Sequence, residues 1–166
     1  MSVTAKAPGP NAAFIDSQNV NLGVQSLGWK LDWKRFRVYL ADKYGVGRAY
    51  LFIGYIPKYQ ALYMSLQQAG FILVQKPVLP IKAGAPKGNV DADLVLHSMI
   101  EYPNYSKAVI VTSDGDFYSL VDFLYKKGKL EAVLSTSPDR CSALLKQAGR
   151  ERMQFLNTLK GKLQYP

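Results

Sequence analysis

Four aspartates stand where a folded chain could hold a metal ion against a phosphate: Asp16, Asp91, Asp114 and Asp116. Asp16 closes the apolar run Ala12 to Ile15. Asp114 and Asp116 follow Val109 to Val111 through the hydroxyl pair Thr112 and Ser113, and Asp91 opens the stretch Val90 to Tyr102. Carboxylates just past the ends of neighbouring buried strands would share one edge of a sheet, where α/β proteins admit ligands. Packed together, they raise one another's pKa unless something positive sits among them. A hard divalent cation, Mg²⁺ or Mn²⁺, is the natural answer because it takes oxygen ligands and keeps waters. Such an ion polarises a phosphoryl oxygen and acidifies a bound water.

Each carboxylate also has a structural alternative. Ser113 or Asp114 can cap the following helix, and Asp16 can serve as a turn residue. Asp91 and Asp93 can complement a helix dipole from its first turn. Two residues apart on a helix is about 200° of rotation, so these two cannot both face one site, and Asp91 is the one chosen here.

The elements that must carry these residues alternate. Ala12 to Ile15 reads as a strand ending in a turn at Asp16–Asn19, and Leu31 to Tyr44 as an amphipathic helix with Asp32 as cap and Gly45 as stop. A strand over Val46 to Tyr55, a helix over Lys58 to Ala69 and a strand over Phe71 to Gln75 follow. After the helix from Val90 and the strand at Val109, a helix over Phe117 to Lys127 precedes a strand over Leu130 to Leu134. Ser137-Pro138-Asp139 opens a helix running to about Lys146, and a short apolar piece spans Met153 to Leu156. This strand–helix–strand order predicts parallel pairing with right-handed crossovers. Residues 1–11 read as a flexible lead-in and residues 12–166 as a single domain.

Between strand and helix, Lys76 to Asn89 has three prolines, two glycines, three lysines and no acid. Arriving beside carboxylates, such a loop suits an anionic substrate, and Lys87 is expected nearest the pocket. The whole chain is basic, with 21 Lys and Arg against 12 Asp and Glu and a net charge of +9, which favours a polyanion such as nucleic acid. A solvated lysine-rich surface gives the same balance. No run approaches membrane-span length, and the start has no signal-peptide core. The lone Cys141 leaves no cysteine-based metal cluster and fits a reducing, cytoplasmic setting. No Walker-type or GxGxxG loop is present, and Asp16 has no second Asp two residues on, as a phosphoaspartate site would require.

Three runs carry a family resemblance: FIDSQN at Phe14–Asn19, KGNVDAD at Lys87–Asp93 and VTSDGDF at Val111–Phe117. In order and spacing they resemble the motifs of the NYN domain, within the PIN-like nuclease superfamily and nearest its LabA-like branch, over Ala12 to Leu156. The resemblance implies a three-layer α/β/α sandwich on a mainly parallel sheet of about five or six strands. It implies a ribonuclease site in which Asp16, Asp91 and Asp114 hold Mg²⁺ or Mn²⁺ and Asp116 supports them. Asn19 falls on the companion amide, and Thr112, Ser113 and Lys87 are expected to position the RNA phosphate. The chain departs from the pattern twice: Thr112-Ser113 replaces a usual Ser-Gly, and His97 stands where a further Asp is common. A non-catalytic RNA-binding or regulatory module on the same fold is the alternative, and a homodimer is left open.

Overall fold

The computed structural model describes residues 8–77 and 89–166. The basic loop from 78 to 88, with Lys82 and Lys87, and residues 1–7 of the lead-in lie outside the described residues.

The chain winds in order through β1 (Asn11–Asp16), α1 (Ser17–Ser26), α2 (Trp33–Tyr44), β2 (Val46–Tyr55), α3 (Gln60–Gln68) and β3 (Phe71–Pro77). It continues through α4 (Asp91–Ile100), β4 (Ala108–Val111), α5 (Tyr118–Lys126), β5 (Leu130–Ser135), α6 (Ala143–Gly149), β6 (Met153–Phe155) and α7 (Lys160–Leu163). Among the described residues the strands form one six-stranded sheet in the order β3-β2-β1-β4-β5-β6. Every pairing in it is parallel.

The central strands are buried on both faces and therefore apolar without alternation. In β1, Ala13 and Ile15 point to one core with Val20, Val24, Phe36, Leu40, Tyr63 and Leu66 of α1, α2 and α3. Ala12 and Phe14 point to the other, with Leu94, Leu120, Leu124 and Leu145 of α4, α5 and α6. Helices thus cover both faces, giving the three-layer sandwich. No described helix is long and apolar enough to cross a membrane.

Local chemistry sets the helix ends. Asp32 accepts the Arg35 N–H at 3.1 Å, and Gly45 closes α2 at φ 64°, a left-handed conformation that glycine adopts without a Cβ penalty. Two expectations shift. The turn expected at Asp16–Asn19 is helix from Ser17 onward, because Val20 and Val24, one turn apart, bury against the sheet and hold α1 despite its Asn and Gly content. The helix expected from Ser137 begins only at Ala143. Ser137 O accepts N–H bonds from Arg140 and Cys141, making one isolated turn, and the Ser142 N–H is drawn to Ser113 O.

Successive strands step one way from β1 through β2 to β3 and the other way from β4 through β5 to β6. The loops after β1 and β4 therefore diverge, opening a crevice at this topological switch point.

Candidate metal centre

Both diverging loops carry aspartate. The last β1–β4 backbone partners are Ile15 and Val111, so Asp16 and Thr112 emerge side by side at the sheet's carboxyl edge. Thr112 is fully buried, and its hydroxyl donates to Asp16 Oδ2 at 3.2 Å while accepting the Asp114 N–H at 3.2 Å. Asn19 Oδ1 accepts the Ser113 N–H at 2.8 Å, fastening the first turn of α1 to the loop after β4. From the other side, Ser135 Oγ donates to Thr112 O at 2.6 Å, and the Thr136 N–H donates to Ser113 Oγ at 3.1 Å. Ser135 and Thr136 escaped the sequence reading; the signal was the Ser-Thr-Ser run closing the strand next to β4.

Asp114 then starts a single 3₁₀ turn, Gly115–Phe117, and its Oδ1 accepts the Asp116 N–H at 2.9 Å. The turn swings Asp116 back beside Asp114. Across the crevice, Asn89 Oδ1 accepts the Asp91 N–H at 2.9 Å at the start of α4. As a result, carboxylate oxygens of Asp91, Asp114 and Asp116 lie within 4.8 Å of one another. Asp93 points elsewhere, with its Oδ2 3.6 Å from the Lys76 ammonium. Lys76 Nζ also donates to Asn89 O at 2.9 Å, so this described member of the basic segment borders the start of α4.

Asp16 is not among the three grouped oxygens. It lies behind them, 6% exposed, with a pKa pushed up to about 6. Burial is the main cause and the charge of Asp91 the next, while the Thr112 hydroxyl and the Asn19 backbone N–H pull it down and Asp114 adds to the rise. Asp91 is raised too, by burial first and then by Asp114 and Asp116. Among the described residues, no Lys or Arg nitrogen comes within 4.0 Å of Asp91, Asp114 or Asp116. The cluster is therefore negative and uncompensated by described side chains. An all-oxygen donor set this close suits a hard divalent cation.

His97, the only histidine, is not part of the cluster. Its ring packs edge-on against Tyr50 at 4.9 Å and Phe52 at 5.8 Å between centroids, a contact between α4 and β2.

A doubly wound parallel sheet with carboxylates at its switch point defines an α/β protein whose crevice is placed to take a ligand. The NYN domain matches residues 11–153, and the chain belongs to the NYN family of the PIN-like superfamily. A crystal structure of a protein of unknown function from Vibrio parahaemolyticus is similar in fold, with a TM-score of 0.72 at 23% identity over 90% of this chain and 93% of that one. No curated protein matches the chain.

Proposed function

We propose that this protein is a metal-dependent ribonuclease that hydrolyses RNA phosphodiester bonds at the acidic cluster. The observation that carries the reading is the convergence of Asp91, Asp114 and Asp116 within 4.8 Å without a described cationic partner. Those three residues would hold Mg²⁺ or Mn²⁺, and Asp16 completes the negative wall behind them. When bound, the ion supplies Lewis-acid polarisation of a phosphodiester oxygen and acidifies water. Thr112, Ser113 and Asn19 Oδ1 hold the two loops in register, and these residues, with Lys87, would position the RNA phosphate beside the ion. The three sequence motifs further support placement in the LabA-like branch. The basic balance of the chain favours RNA over a neutral substrate.

Incubating labelled single-stranded and hairpin RNAs with the protein, with Mn²⁺, Mg²⁺ or EDTA, tests the reading. Cleavage that needs the divalent ion and disappears in Asp114→Asn is expected. Absence of any ion-dependent cleavage, with RNA binding retained, would instead make the chain a binding module.

A further inference from the structure

Beside the acidic edge, on the opposite face of the sheet from α4, a groove of about 390 Å³ runs between α1 and α3 over the end of β2. Its α1 wall is Gln18, Asn21 and Gln25. The spacing i, i+3, i+7 puts these three carboxamides in one row, about 10 Å long at 1.5 Å per residue. Among the described residues, none of the three makes a side-chain hydrogen bond within the protein. The floor is apolar, from Leu51 and Ile53, and the far wall brings Tyr59, 42% exposed. Trp33 and Lys30 close the end away from the cluster. Among the described residues no carboxylate lines the groove, and the Lys58 ammonium stands 5.1 Å over the Tyr59 ring at its rim.

We propose that this groove binds the unpaired bases of single-stranded RNA beside the scissile phosphate, with the amide row reading base edges and Tyr59 stacking. Carboxamides supply a donor and an acceptor each, matching the mixed edges of bases and not the all-acceptor phosphate. An exposed aromatic beside cations is the platform on which unpaired bases stack. A duplex hides those edges and is recognised through its backbone and 2′-hydroxyls. The groove opens at Ser17 and Gln18, directly after Asp16, so a strand lying in it leads to the acidic cluster. The inference rests on the ribonuclease reading for what happens at that cluster, while the binding itself needs no metal.

The test is fluorescence anisotropy in EDTA with the full chain, using labelled U, A and C homopolymers and a blunt duplex. Compared with wild type are the triple variant Gln18→Ala, Asn21→Ala, Gln25→Ala and the single variant Tyr59→Ala. All four positions are at least partly exposed, so folding is checked simply by circular dichroism. The triple variant should lose roughly tenfold or more in affinity for single strands and level the preference among homopolymers. Tyr59→Ala should cost at least roughly fivefold, the range measured for base stacking on aromatic side chains. The salt slope should stay as in wild type, because no cation is removed. Wild-type affinity in the triple variant, or equal weakening on the duplex, overturns the proposal. A change of oligomeric state in the triple variant also overturns it, assigning the groove to a second copy. Protein that cleaves but is indifferent to the triple substitution loses the groove alone. Protein that never cleaves, yet binds single strands through these residues, loses the nuclease reading alone.

Discussion

The Thr112 hydroxyl lies 3.2 Å from Asp16 Oδ2, joining neighbouring central strands through residues 96 apart in sequence. One buried oxygen thereby sets two carboxylates, since it also accepts the N–H of Asp114. Thr112→Val keeps the shape and removes both bonds, leaving the Asp114 N–H without its acceptor. We expect a loss of roughly 1–3 kcal/mol in urea unfolding and reduced cleavage. Thr112→Ser, which keeps the oxygen, should recover most of the cleavage; equal damage in both variants would leave the hydroxyl without this role.

Asp16 makes the metal-free protein pH-sensitive. The folded state holds the Asp16 proton up to about pH 6, whereas the unfolded chain releases it near the ordinary value of 3.8. Between those limits the native state binds more protons, so stability falls as the pH rises from about 4 to about 6 and stays lower above. The Asp16 contribution is on the order of 3 kcal/mol. Urea titrations in EDTA from pH 4 to 7.5 should show wild type losing more stability with rising pH than Asp16→Asn. Parallel curves for the two proteins would remove Asp16 as the source.

Divalent ions should stabilise the wild-type protein and do much less for Asp114→Asn. A ligand that binds only the folded state raises stability by mass action, about 2.7 kcal/mol at a hundredfold excess over Kd. The Asn side-chain oxygen can still accept the Asp116 N–H, so the variant keeps its 3₁₀ turn. Melting temperatures with and without Mn²⁺ decide the matter. Equal shifts in both proteins would move the ion away from Asp114.

His97→Phe should fold and cleave as wild type does. The ring's neighbours are Tyr50 and Phe52, and an aromatic replacement preserves that packing. His97→Ala opens a gap there and should cost stability, with the cleavage rate per folded molecule unchanged. A cleavage rate that collapses in the Phe variant would return the histidine to the site.

Gly23→Ala should destabilise, although alanine is the better helix former by about 1 kcal/mol. A Cβ on Gly23 would collide with Thr136 Oγ1, the residue whose backbone N–H holds Ser113. Thermal melts read the cost, and a more stable variant would show that α1 can withdraw from β5 freely.

Much of this architecture was legible before any coordinate. The unbroken apolar run Val109–Val111 belongs to a strand buried on both faces, and Asp32 with Gly45 bracketed α2 because capping is a local interaction. The rotation of 200° separated Asp91, which joins the cluster, from Asp93, which pairs with Lys76. What escaped depends on contacts distant in sequence. α1 exists through the burial of Val20 and Val24, and its Asn and Gly residues signalled a turn instead. The grouping of Asp116 with Asp91, and the recessed place of Asp16, follow from a 3₁₀ turn and a buried hydroxyl that no spacing rule reports.

The adjacency of β1 and β4 also bears on the order in which the protein can assemble its acidic cluster. A chain made from its N-terminus forms β1, β2 and β3 as a local parallel unit, but one edge of β1 stays open until β4 arrives from much further along the sequence. Long-range parallel pairing is slow because loop closure must precede the contacts that reward it. Until that seam closes, Asp16 has no Thr112 beside it and Asp91 has no Asp114 to face. The acidic cluster is therefore a late product of folding, set only once β4 has docked beside β1.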